Sequence, residues 1–145
     1  MTLRIESGVL AAIRRSLEAA YPAEGCGFLV GKAGSNGEVL VRRHEPVRNQ
    51  RVDAGTGGNR YEIAPADFLT TEKKLRSEGL DILGTYHSHP DHPAKPSEYD
   101  REHAWPWYRY LIVSVSQGVA RDARVWQLAD DRAAFVEHTL HVEDS

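Results

Sequence analysis

The stretch HSHPDHPAKPSEYD places two imidazoles one residue apart, at His87 and His89, and adds Ser97 and Asp100 shortly after. In an extended chain, residues i and i+2 project from the same face, so both imidazoles can turn toward one ion. On a helix the same spacing would send them apart. A catalytic zinc commonly takes three protein ligands, with imidazole bonds of about 2.0–2.1 Å, and keeps a fourth position open for water. His87, His89 and Asp100 meet that count. Ser97-Glu98-Tyr99-Asp100 is also a helix-start pattern, with Ser97 as N-cap and Asp100 near the positive end of the helix dipole. The two readings are compatible, because a helix start would hold the carboxylate in place. Pro90, Pro93 and Pro96 stiffen the intervening loop. Asp91 and His92 compete as ligands from within it.

Hydrolysis at such an ion also needs a group to take the proton from water. Glu24, in PAEGCGFLVG, is the candidate. Sequence spacing does not bring residue 24 to residue 87, and Glu38, Glu45, Glu62 and Glu72 are equally available on composition.

These groups must be positioned by regular elements. SGVLAAIRRSLEAA carries Val9, Leu10, Ile13 and Leu17 at helical spacing, which predicts a helix near 8–20 with Ser7 as its N-cap. GCGFLV predicts a strand over 25–31, and Asn36-Gly37 a hairpin turn into EVLVRRHEPV. Residues 49–60, NQRVDAGTGGNR, read as a loop without regular structure. A second helix is expected over 65–77, with Phe68, Leu69 and Leu75 on one face and Gly79 as the stop. LDILGTYHSH reads as a central strand that ends in the two histidines. A short helix over 97–104 and three strands (RYLIVSVS, ARVWQLA and RAAFVEHTLHV) complete the chain. The expectation is one α/β domain over residues 1–145, a mixed β-sheet with flanking helices.

Composition narrows the function classes. The chain of 145 residues is 41% hydrophobic and 27% charged, with a net charge of −3 and no run of lysine or arginine. A nucleic-acid partner would more often leave a basic stripe. The lone Cys26 excludes an internal disulfide and a Cys-rich zinc site. No apolar stretch approaches membrane length, so no membrane partner is expected and a cytoplasmic location follows.

Taken together, Glu24, His87-Ser88-His89, the seven residues PDHPAKP, Ser97, two further residues and Asp100 resemble the signature of the JAMM metalloproteases, also called MPN-plus or JAB domains. The resemblance extends from the first helix to about Val142 and implies an MPN/JAB, cytidine-deaminase-like fold. It implies that His87, His89 and Asp100 bind Zn2+, that Glu24 is general base and then proton shuttle, and that Ser97 hydrogen-bonds the oxyanion. It further implies cleavage of a peptide or isopeptide bond at the C-terminal Gly-Gly of a ubiquitin-like protein. Among such substrates, a sulfur carrier suits a small prokaryotic member with no room for a separate recognition domain. An extended Gly-Gly tail would lie against a sheet edge, with Tyr61 and the 49–60 loop as the other wall of the groove. The alternatives are a non-catalytic MPN scaffold, whose relatives lack the ligands kept here, and a RadC-like DNA-repair protein, disfavoured by the net charge.

Other residues invite chemistry but read as structure. Cys26 has no visible activating partner and reads as a small buried hydrophobe. The aromatic cluster Trp105, Trp107, Tyr108 and Tyr110 reads as core packing. His138 and His141 fall on opposite faces of a strand, and His103 is expected in solvent.

Overall fold

The computed structural model describes residues 1–34, 36–53 and 60–144. The chain opens with β1 (Thr2–Glu6), which runs directly into α1 (Ser7–Ala20). β2 (Cys26–Ala33) and β3 (Val39–Val47) form the hairpin, followed by the short α2 (Gln50–Asp53) and by α3 (Pro65–Arg76). β4 (Asp81–Pro90) leads to α4 (Glu98–His103), and β5 (Arg109–Ser116), β6 (Val119–Leu128) and β7 (Phe135–Glu143) end the fold.

The strands lie in the order β1-β3-β2-β4-β5-β6-β7, and β7 pairs back onto β1, so the mixed sheet closes into a barrel. β4 is central, antiparallel to β2 and parallel to β5. The α/β expectation of a mixed sheet with flanking helices holds. β1 was not expected. Its five residues alternate, with Leu3 and Ile5 fully buried, but the strand is stabilised by parallel pairing with β3 and β7, which lie far along the chain.

The two larger hydrophobic clusters among the described residues flank the sheet. Leu10, Ile13 and Leu17 of α1 pack with Leu29, Tyr86 and Leu111. On the other side Cys26, Phe28 and Val30 of β2 pack with Ile63 and with Leu75 of α3. Phe68 meets Phe28 edge-on at 4.9 Å between ring centroids. Leu69 departs from expectation: it is 62% exposed, because the α3 face that meets the sheet carries Phe68 and Leu75, seven residues apart. Ser7 does not cap α1; Glu6 occupies that position with no side-chain cap, since β1 enters the helix without a turn. The stop after α3 is as expected, with Gly79 at φ +70° and the Leu80 N–H bonded to the Leu75 carbonyl. The hairpin turn also has positive φ at both Asn36 and Gly37. The expectation of a structureless 49–60 segment is corrected at its start by α2, while residues 54–59 lie outside the described residues. No described helix is long and apolar enough to cross a membrane.

Candidate metal centre

β4 delivers the two histidines as the i, i+2 rule requires. Cys26 lies opposite His87 in the β2–β4 ladder, so His87 and His89 share the sheet face of Cys26 and Phe28, beneath α3. His87 Nε2 and His89 Nε2 are 3.2 Å apart. Asp100 completes a triangle, with Oδ2 at 3.0 Å from His89 Nε2 and Oδ1 at 3.3 Å from His87 Nε2. All three residues are buried, and they form the metal-capable cluster among the described residues.

The donor set fits a small divalent ion. Ligands bonded tetrahedrally at about 2.0–2.1 Å lie roughly 3.3 Å from one another. The observed separations of 3.0–3.3 Å match that edge length. Each of the three residues thus offers one donor atom at the spacing a single ion would need.

Local structure explains the orientation of each ligand. Ser97 caps α4: its Oγ accepts the Asp100 N–H at 3.1 Å, while Asp100 Oδ2 accepts the Ser97 N–H at 2.8 Å. This reciprocal capping box points the carboxylate back across the helix start, toward the histidines. His89 Nδ1 donates to the Pro93 carbonyl at 2.8 Å, leaving Nε2 to face the cluster. Burial opposes ionisation of Asp100, but His87, His89 and the Ser97 N–H outweigh it and hold the carboxyl well below the usual carboxylate range. Burial likewise disfavours a charged His89, yet hydrogen bonding and attraction to Asp100 raise its pKa overall.

The β2–β4 register also brings Glu24 to the site. Ser88 donates its N–H to the Gly25 carbonyl at 3.1 Å and accepts the Gly25 N–H on Oγ at 2.9 Å, extending the pairing beyond Cys26. One residue further, Glu24 joins His89 and Ser97 in lining a cavity of about 350 Å³, with Arg60 and Lys95 at its rim. Burial pushes the Glu24 carboxyl above its ordinary value, and the neighbouring His87 and His89 pull it partly back. Of the acids that composition left open, Glu24 is the one that lines this cavity with His89 and Ser97 among the described residues.

Asn49 is the residue that sequence reasoning missed. It is 8% exposed and uses all its amide capacity. Nδ2 donates to the Glu24 carbonyl at 2.9 Å and to the Arg60 carbonyl at 2.8 Å, while Oδ1 accepts the N–H groups of Arg51 at 3.1 Å and Glu62 at 3.0 Å. Nothing in its local sequence signals this, because the partners come from three separate segments.

The remaining candidates fall where their surroundings put them. Tyr61 stacks on the ring of His87, with centroids 4.2 Å apart and planes inclined by 20°. Asp91 accepts the Tyr21 hydroxyl and the Gln117 N–H, a structural role away from the metal cluster. His92 is exposed at the cavity rim, and exposed His103 donates from Nδ1 to the Tyr99 carbonyl of its own helix at 2.9 Å. Cys26 is buried against the Val47 carbonyl, and burial pushes its thiol up to about 12, as befits a core residue. His138 is buried and His141 exposed, on opposite faces as expected. The core reading of the aromatic cluster holds for Tyr110 but not for the tryptophans. Trp105 and Trp107 are 49% and 62% exposed, stacked on each other outside the sheet because the Pro106 corner turns before β5 begins.

Residues 6–129 match the family described as prokaryotic homologs of the JAB domain. The chain belongs to that family. This JAB domain holds, in His87, His89 and Asp100, a buried group of side chains that could bind a metal ion. It is 36% identical over 107 residues to a desampylase of Haloferax volcanii, covering 73% of each chain. It is 34% identical over 119 residues to a probable TtuB-protein conjugate cleaving protease of Thermus thermophilus, covering 82% of this chain and 74% of that one. A JAB1/MPN domain protein from Archaeoglobus fulgidus superposes with a TM-score of 0.57 at 18% identity, covering 97% of this chain and 99% of that one, which shows the shared fold.

Proposed function

We propose that this JAB domain acts as a single unit that cleaves a peptide or isopeptide bond at the C-terminal Gly-Gly of a ubiquitin-like protein of the sulfur-carrier type. The observation that carries the reading is the convergence of Glu24, His89 and Ser97 on one cavity beside the buried His87–His89–Asp100 triangle. The relatives named as a desampylase and as a conjugate-cleaving protease support the substrate class. Two imidazoles and one carboxylate with an open fourth position are a ligand set that catalytic zinc takes. When bound there, it supplies Lewis acidity to the scissile carbonyl and to the attacking water.

The chain's own groups do the rest. Glu24 takes the proton from the water and returns it to the leaving amine, and burial, which raises its pKa, makes its carboxylate a stronger base than an exposed one. Ser97 has its Oγ lone pair committed to the Asp100 N–H, which leaves the hydroxyl proton free to donate to the oxyanion. A tail ending in two glycines suits the site because small residues let the backbone approach closely. The unpaired, buried Cys26 is consistent with a reducing, cytoplasmic setting.

The test measures metal content of the purified parent and of His89→Ala, then cleavage of carriers with and without the terminal Gly-Gly. About one zinc per parent chain, little in the variant and cleavage confined to Gly-Gly-tailed carriers is the expected result. A metal-free parent that takes up no zinc when it is offered overturns the reading.

A further inference from the structure

Histidines that hold a metal nearly always donate their second ring nitrogen to an acceptor, which fixes the ring's orientation. His89 does this through Nδ1 and the Pro93 carbonyl. His87 does not: its Nδ1 is buried and makes no hydrogen bond among the described residues. The ring of Tyr61 instead lies flat against it, at 4.2 Å and 20°.

Tyr61 is itself held from several directions. The backbone on either side is pinned by Asn49, which bonds the Arg60 carbonyl and the Glu62 N–H. The Glu62 carbonyl accepts the Gln50 N–H at 2.9 Å. The Tyr61 carbonyl accepts the Tyr99 hydroxyl at 3.2 Å, which ties it to the helix that carries Asp100. Its own hydroxyl lies 3.5 Å from Thr85 Oγ1, two residues before His87 on the same strand. The ring is therefore a fixed plate, and it faces His87, which among the described residues lacks the hydrogen-bonded support that His89 and Asp100 have.

We propose that Tyr61 is a positioning residue for the metal ligand His87, its stacked ring doing for His87 what the Pro93 carbonyl does for His89. This rests on the metal reading of the preceding subsection. The contact requires an aromatic plane and not the phenol hydroxyl, whose 3.5 Å approach to Thr85 is at the limit of a hydrogen bond. Phenylalanine should therefore replace Tyr61, and leucine should not. Loss of support to one ligand of a metal site typically costs about 10–100-fold in affinity.

The experiment titrates Co2+ into the metal-free full chain and follows its visible absorption, for the parent, Tyr61→Phe and Tyr61→Leu. Thermal unfolding of each metal-free protein serves as the control for folding. The expected result is an affinity for Tyr61→Phe within about 3-fold of the parent and a loss of roughly 10–100-fold for Tyr61→Leu. Equal affinities for all three overturn the inference, as does a Tyr61→Phe as weak as Tyr61→Leu. Should Tyr61→Leu fail to fold, proton NMR of the metal-free parent decides. The carbon-bound ring protons of His87 should be shifted upfield relative to those of His89 by the stacked ring, and their absence upfield overturns the proposal. A parent that binds no cobalt while showing that upfield shift refutes the metal reading and leaves the stacking intact.

Discussion

Replacing Asn49 by leucine removes four hydrogen bonds at once while nearly preserving volume. The bond to the Glu24 carbonyl is fully enclosed, so its loss strands a buried acceptor; the other three reach partly exposed groups that water can serve. An enclosed bond carries about 1–1.5 kcal/mol, and each of the others roughly 0.5 kcal/mol after solvent takes its place. The expected destabilisation is therefore about 3 kcal/mol. For a domain of this size that corresponds to a fall in Tm of roughly 6–12 °C, at about 2–4 °C per kcal/mol. Chemical denaturation of the metal-free protein measures it without interference from the metal site. Asn49→Asp sharpens the test, because it keeps the acceptors and loses the donors, setting a carboxylate against the Glu24 and Arg60 carbonyls. That carboxyl would have its folded pKa raised above the unfolded value. Its destabilisation relative to the parent should then be largest above the folded pKa and shrink as pH falls toward the unfolded one. A leucine variant within about 1 kcal/mol of the parent, or an aspartate variant whose deficit grows on acidification, would refute the view of Asn49 as the clamp joining Glu24 to the 60–62 segment.

Glu24→Gln should keep its metal and lose turnover by about 10²–10⁴-fold, read as metal stoichiometry beside kcat on a Gly-Gly-tailed carrier. Ser97→Ala should retain metal, since the Ser97 N–H still holds Asp100, but lose about 1 kcal/mol of stability with the cap and about 10²–10³-fold in kcat with the oxyanion donor. Acidification should release the metal as protons displace it from His89, whose pKa is raised, and equilibrium dialysis across pH 7 to 4 would show this as loss of the bound ion. Cys26 should resist alkylation in the native protein at pH 8 and react on unfolding, because burial keeps its thiol protonated up to about 12; rapid native labelling would contradict its place in the core.

What the sequence determined by itself was whatever depends on neighbouring residues. His87 and His89 share a face because any extended chain alternates, and Ser97 and Asp100 cap each other because a first helical turn brings N-cap and N3 together. The amphipathic spacing of α1, the Asn36-Gly37 turn and the Gly79 stop are local for the same reason. Glu24 was legible only through the resemblance to a family signature. Its physical placement comes from the antiparallel register of β2 on β4, which links residues far apart in the chain. Tertiary structure alone decided the rest. β1 exists because β3 and β7 flank it, and Asn49 is a hub because three segments meet there. Trp105 and Trp107 stay half exposed because no described helix or strand covers that corner, although their side chains would suit a core. Hydrophobicity and periodicity state what a residue can do in one dimension; which distant groups arrive to satisfy or cover it is settled by the closure of the sheet.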